Sequence, residues 1–375
     1  MRVVFDILGS TERSGGMRLH STEMIRAWMQ LWPDDEVTIV GPEWAAAEFA
    51  AHADVRIWRN ESAVFRSLGQ LFGSSHAARK SQADALISLS PIVSPFYRGT
   101  TVCFQHDWRH KRNPHEFPLV QRIYRRLWEI SSRRATFNAC ISDKAVEETS
   151  RYVPGSRNVL VENGWDHARA WPSAEPSARD GHLVTFGHHN NKRPELAIAA
   201  LASLRKDLHG SMSLVVLGAR GAYADELRGL AARLGVDENV VFPGFVSDDD
   251  YQRTISTADA VLMPSSDEGF GLPIAEALFL GIPAVVTDDS GMTEIFGDAV
   301  SSAAPDAESL AAAVIDALAR RAHADPREIG MTTWASAAEK LRSAVEVENS
   351  HPRNQVSSIA ERYSIPVRPK TMKTK

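Results

Sequence analysis

Residues 264–281 read PSSDEGFGLPIAEALFLG, with Glu268 and Glu276 on either side of a Gly-x-Gly turn and a proline. Gly269 and Gly271 allow backbone conformations and close ligand approach that a Cβ would forbid. Pro273 suits the first position of a helix. The unpaired N–H groups of such a helix start, around Gly271, Leu272 and Ile274, carry roughly half a positive charge and suit a phosphate. Glu276 falls about one turn further in. A carboxylate there would repel the phosphate, so the chemistry it fits is accepting hydrogen bonds from vicinal hydroxyls, as acidic residues do on ribose in dinucleotide sites. The plainer alternative is a glutamate that complements the helix dipole, worth about 0.3–1 kcal/mol.

Three other stretches carry candidate chemistry. GHHNNKRP (187–194) brings Lys192 and Arg193, cations that could offset the charge growing on a diphosphate leaving group, or form a solvated turn. SGGMR (14–18) offers Gly15 and Gly16 at a helix start, a second place for backbone N–H groups and close approach, or a flexible turn. CFQHDW (103–108) ends in His106 and Asp107; a strand-end histidine bonded to a nearby carbonyl is the commoner arrangement. The two cysteines, Cys103 and Cys140, sit inside apolar runs and read as buried thiols. No metal site is expected, and no cofactor.

These groups need elements that bring them together. A chain of 375 residues suits two cores rather than one. Short β-branched runs (RVVFDIL, EVTIV, DVRIW, ADALISL, TTVCFQH, TFNACIS, NVLVEN, then HLVTFG, SLVVLG, NVVFPG, DAVLMP, PAVVT) alternate with amphipathic stretches. That alternation predicts parallel sheets covered by helices on both faces. The Pro-, Ser- and Ala-rich stretch 165–182 reads as a linker, which gives an N-terminal domain over 1–174, a second over 175–345, and a loosely held polar tail over 346–375. Two doubly wound Rossmann-like α/β domains would face each other across a cleft. Ligands of such sheets bind beyond the carboxyl ends of the strands, where all four candidate stretches fall.

The EGFGLPIAE run resembles the Glu-x7-Glu motif of retaining GT-B glycosyltransferases, in particular glycosyltransferase family 4. VENGWD (161–166) resembles that family's Asn-Gly turn, and residues 239–300 are similar to its pattern almost throughout. The resemblance implies a GT-B architecture and transfer of a hexose or deoxyhexose, with retention, from a nucleoside-diphosphate sugar to a hydroxyl of a glycan or glycolipid, in cell-surface polysaccharide assembly. It implies that Glu276 binds the ribose and Glu268 lies beside the transferred sugar. The backbone of Phe270, Gly271 and Leu272 would hold sugar hydroxyls and diphosphate, with Lys192 or Arg193 on the diphosphate, Gly16 near the donor phosphate and His106 against the sugar. Where many members have arginine after the glycine, this chain has His188. A nucleotide-sugar epimerase of the same architecture and a non-catalytic nucleotide-sugar-binding protein are the alternatives. A nicotinamide oxidoreductase would need Gly-x-Gly-x-x-Gly after a first strand, which neither GSTERSGG nor GHHNNKRP supplies.

Charge is unevenly shared. Residues 1–171 carry 22 Lys and Arg against 19 Asp and Glu, and the remainder 20 against 28. Residues 108–134 concentrate eight cations against two glutamates, around an apolar stripe of Val120, Ile123, Tyr124, Leu127, Trp128 and Ile130. This segment is either a core-facing helix with a solvated basic face or a peripheral contact with anionic membrane. Net acidity and the lack of a recognition motif argue against nucleic acid. The opening MRVVFDILGS reads as a strand and not a signal peptide, so a cytoplasmic location is the expectation, with membrane association on the cytoplasmic face.

Overall fold

The computed structural model describes residues 1–12, 15–59, 62–172, 181–207, 212–320 and 331–350. Its first sheet contains β1 (Arg2–Asp6), β2 (Glu36–Gly41), β3 (Asp54–Ile57), β4 (Ala85–Ser88), β5 (Thr100–Gln105), β6 (Phe137–Cys140) and β7 (Asn158–Leu160), in the order β3-β2-β1-β4-β5-β6-β7. The second contains β8 (His182–Phe186), β9 (Ser213–Leu217), β10 (Val240–Gly244), β11 (Ala260–Met263), β12 (Ala284–Thr287) and β13 (Ser301–Ala303), ordered β10-β9-β8-β11-β12-β13. Every paired strand is parallel. The central strands are buried on both faces, which is why they read as unbroken apolar runs. β13 escapes sequence reading because Ser301–Ala303 has no β-branched residue.

Strand order reverses beside β1 and again beside β8, so each sheet opens a crevice at its carboxyl edge. The expected linker is in part a 3₁₀ turn, Asp166–Ala170. The expected boundary near 174 lies outside the described residues.

The structure corrects the expected extent of the second domain. Helix Trp334–Ser350 packs not on the second sheet but on helix Gly15–Leu31 of the first domain. Its buried face, Trp334, Ala337, Ala338, Leu341 and Val345, needs an apolar partner, and Arg342 stacks over the Trp32 ring at 4.4 Å while pairing with Asp35. Thr100 donates to Asn349 at 2.6 Å and Lys340 pairs with Glu162 at 2.6 Å. The chain thus crosses back and ties the two halves together. The helix also runs through Ser350, so residues 346–350 belong to an ordered element; 351–375 lie outside the described residues.

Candidate active site

The loop after β11 is shaped by what surrounds each residue. Gly271 sits at φ 96°, and a Cβ there would lie 2.7 Å from Met292 Sδ, so both backbone and space require glycine. Gly269 has ordinary backbone angles but faces the first domain, where a Cβ would overlap the carbonyl oxygen of His106. The ring of Phe270 is buried among Trp165 and Phe296, with centroids 6.5 and 5.7 Å away, and pins the loop from beneath. The N–H groups of Phe270, Gly271 and Leu272 find no acceptor among the described residues. The N–H of Ile274, expected to join them, instead donates to Gly271 at 2.9 Å, because the first turn of helix Leu272–Phe279 closes tightly. Of the three N–H groups expected at the helix start, those of Gly271 and Leu272 are left without an acceptor among the described residues.

The two adjacent cations separate. Arg193 adopts a left-handed backbone at φ 47° and turns its guanidinium into the loops, donating to Pro264 O at 2.6 Å, Ser265 O at 2.9 Å and Thr287 Oγ1 at 2.9 Å, and pairing with Asp289. That network ties three loops and leaves Arg193 a structural member. Lys192 is nine-tenths buried and pairs with Glu268 Oε1 at 2.7 Å. Of the two, it is the cation beside the motif glutamate. His188 follows Gly187 as anticipated; desolvation and the charge of Lys192 lower its pKa, so it is neutral near pH 7 and supplies no second cation.

On the opposite wall, Gly16 opens helix Gly15–Leu31, and a Cβ there would sit 3.5 Å from the Leu272 side chain. The starts of two helices therefore meet across the cleft. His106 Nε2 lies 3.2 Å from the carbonyl of Leu89, which can only accept, so Nε2 carries the proton and Nδ1 is left bare. Desolvation keeps the ring neutral. The common structural role of a strand-end histidine and a sugar-facing acceptor are thus compatible here. Behind it lies a residue the sequence did not flag: His20, fully buried, edge-on to His106 at 4.8 Å, with Nδ1 bound to Asn163 Oδ1 at 2.8 Å. A lone histidine inside an amphipathic helix carries no spacing signal.

Glu276 is buried to 2% exposure, and each of its oxygens has a donor: Tyr251 at 2.6 Å and His167 at 3.0 Å. A carboxylate has about four lone-pair sites, so two remain.

A cross-domain clasp borders Glu268, and the sequence reading missed it. Asp267 Oδ1 accepts from Arg112 at 2.8 Å and from Lys144, both in the first domain, while Lys144 also donates to the Glu268 carbonyl. Asn191 accepts from Arg109 at 2.8 Å and donates to Asp267 O at 3.1 Å, and Ser142 donates to Gly269 O at 2.7 Å. These partners are more than 70 positions apart in the chain, beyond any local pattern.

With this geometry in place, the comparisons with known proteins fall into line. Residues 184–330 match the family model described as Glycosyl transferases group 1. Glycogen synthase of Mycobacterium tuberculosis is 34% identical over 182 residues, covering 47% of this chain and 43% of its own length. The chain spans less than half the length of the curated relatives named first among its matches. Among solved structures, Anabaena HepE in complex with UDP and glucose superposes with a TM-score of 0.69 over 92% of this chain and 99% of its own, at 19% identity. WaaG, a glycosyltransferase involved in lipopolysaccharide biosynthesis, superposes at 0.61 over 92% and 95%, also at 19% identity. The fold is GT-B. The match to the group 1 glycosyltransferase model falls within its second domain.

Proposed function

We propose that the protein is a retaining glycosyltransferase of family 4 that moves a hexose or deoxyhexose from a nucleoside-diphosphate sugar to a hydroxyl of a glycan or glycolipid, in cell-surface polysaccharide assembly. The observation that carries this reading is the meeting of two helix starts across the cleft, with the Lys192–Glu268 pair in the loops of the second domain and Glu276 about one turn into its helix. The N–H groups of Phe270, Gly271 and Leu272 face the place where the diphosphate gains charge as the anomeric C–O bond breaks. Lys192, paired with Glu268 when no donor is present, transfers to the diphosphate and releases Glu268 to accept from sugar hydroxyls. His106 accepts a further sugar hydroxyl at its bare Nδ1. As oxocarbenium character grows at the anomeric carbon, the acceptor oxygen bonds to it and its proton leaves toward the departing diphosphate or solvent.

No described helix is long and apolar enough to cross a membrane. The reading includes peripheral contact with the cytoplasmic face of an anionic membrane through residues 108–134. Helix Leu119–Arg134 supports it: Leu119, Ile123 and Ile130 are exposed, and of its described side chains only Ser131 and Ser132 are buried. Of the stripe, Ile123 and Ile130 are exposed and Tyr124, Leu127 and Trp128 half-buried; the side chain of Val120 is outside the described residues.

Thermal shift and calorimetry against UDP, GDP, ADP and dTDP and their hexose conjugates test the proposal. One family of donors should stabilise the fold, by about 2.7 kcal/mol at a hundred times its dissociation constant. Incubation with that donor and acceptor glycans should give a product whose anomeric configuration matches the donor's. A chain that binds none of them, or interconverts the sugar without an acceptor, is not this enzyme.

A further inference from the structure

Glu276 meets two donors that the Glu-x7-Glu pattern does not contain. Tyr251, on helix Asp248–Ser256, donates its hydroxyl to Oε2, and His167, in the 3₁₀ turn Asp166–Ala170, faces Oε1 with Nε2. The indole N–H of Trp334 points at His167 Nδ1 from 3.1 Å. An indole N–H can only donate, so Nδ1 is bare, the imidazole proton sits on Nε2, and Nε2–H donates to Glu276. Burial and the charge of Glu276 push the Tyr251 phenol well above its ordinary range, which keeps it a donor. Trp171 packs edge-on to both rings, at 5.7 Å from each, and walls the group off.

A buried carboxylate without fixed partners would rotate or take a proton. Here one donor on each oxygen fixes its plane and leaves one lone pair on each oxygen for a ligand. We propose that Tyr251 and His167 are positioning residues that aim those two lone pairs at two vicinal hydroxyls, and so set a preference for a ribonucleotide over its deoxy form. This rests on reading Glu276 as the ribose-binding residue. Trp334 extends the arrangement by fixing the tautomer of His167, from a helix whose first N–H is itself held by Asp166 at 2.8 Å.

The test is a pair of dissociation constants measured by calorimetry on the full chain: UDP against 2′-deoxyuridine diphosphate, with the guanosine pair in parallel. The parent should prefer the ribonucleotide by about tenfold, the worth of one hydrogen bond to a charged acceptor. Tyr251→Phe and His167→Leu should each bring that ratio toward unity by weakening the ribonucleotide alone. His167→Gln, whose amide can donate to Glu276 and accept from Trp334, should keep most of the preference. Equal weakening of both nucleotides with the ratio preserved would mark the pair as fold supports and overturn the proposal. Tighter ribonucleotide binding by Tyr251→Phe would mean that the phenol occupies a hydroxyl's place, and would overturn it too. Because Tyr251→Phe keeps the ring and its packing, it remains informative if His167→Leu fails to fold. A parent that binds nucleoside diphosphates without ribose preference sinks the positioning role alone; one that binds none sinks the functional reading instead.

Discussion

Around the same winding of strands, the two halves of the molecule treat their surfaces differently. Among its described residues, the second domain exposes only scattered large hydrophobics, Leu234, Val241, Phe245 and Ile315. The first exposes Ile57, Val64, Phe65, Leu68, Phe72 and Phe96 beside the amphipathic helix Leu119–Arg134. Arg66 stacks over the Tyr124 ring at 5.6 Å, which brings helix Ala63–Leu68 against helix Leu119–Arg134, and Phe72 stacks on Phe96 at 5.0 Å. Apolar residues scattered singly need no explanation, whereas a contiguous patch rimmed by cations marks a contact. On the proposed function, the second half turns inward to the donor and the first half offers its apolar surface to the membrane.

The sharpest way to break that comparison is where the halves touch without side chains. Gly269→Ala would push a Cβ into the His106 carbonyl, a backbone group that cannot rotate away. Misplacing the two walls by even about 1 Å should cost roughly a hundredfold in turnover at saturating donor. Nucleoside diphosphate affinity, which the proposed function assigns mainly to the second domain, should change little in calorimetry. Near-parental turnover would show that this approach is unnecessary to transfer.

The contrast also explains what could be read beforehand. Twelve strands, both sheets and the glutamates of the motif follow from local periodicity and from residues close together in the chain. The clasp of Asp267 with Arg112 and Lys144, and the return of helix Trp334–Ser350 to the first domain, depend on residues brought together only by folding. The choice between Lys192 and Arg193 also stayed open, because spacing cannot say that a left-handed backbone at residue 193 turns one guanidinium inward.

That choice gives the next prediction. Lys192→Ala should weaken nucleoside diphosphate binding by about 1.5–3 kcal/mol, the range for a charge-assisted hydrogen bond, with little loss of thermal stability. Arg193→Ala should do the reverse: it takes the donor from the Pro264 carbonyl and the cation from Asp289, while Thr287 still serves Ser265, and it lowers the melting temperature. If Arg193→Ala alone impairs binding in a fully folded protein, the assignment of the two cations is inverted.

For the first domain, Arg122→Gln with Arg126→Gln should lower partitioning onto anionic vesicles by about thirtyfold, at about 1 kcal/mol per cation. Arg125 is spared because it stacks over Phe117 and Trp128 at 4.2 and 4.4 Å, where its loss would disturb packing. Glutamine keeps helix propensity close to that of arginine, so the helix should persist. Sedimentation equal for variant and parent at low salt would discard the membrane contact and leave a protein partner for the patch.

The smallest expected effect tests the one departure from the family pattern. His188 stands where the resemblance to family 4 implies an arginine, and as a neutral ring it adds nothing to the charge of Lys192. His188→Arg would place a second cation on the same loop, close enough to Lys192 to be repelled when no ligand is bound. A diphosphate reverses that balance, since two cations then share its charge. An exposed ion pair contributes about 0.2–1 kcal/mol, so affinity should rise by no more than about fivefold. The gain should fade as salt is raised from low ionic strength, because screening acts within about 10 Å at 0.1 M. His188→Gln, which changes shape without charge, should leave affinity unchanged. If it tightens binding as much as His188→Arg does, the histidine acts by obstruction, and a second cation is not what this loop lacks.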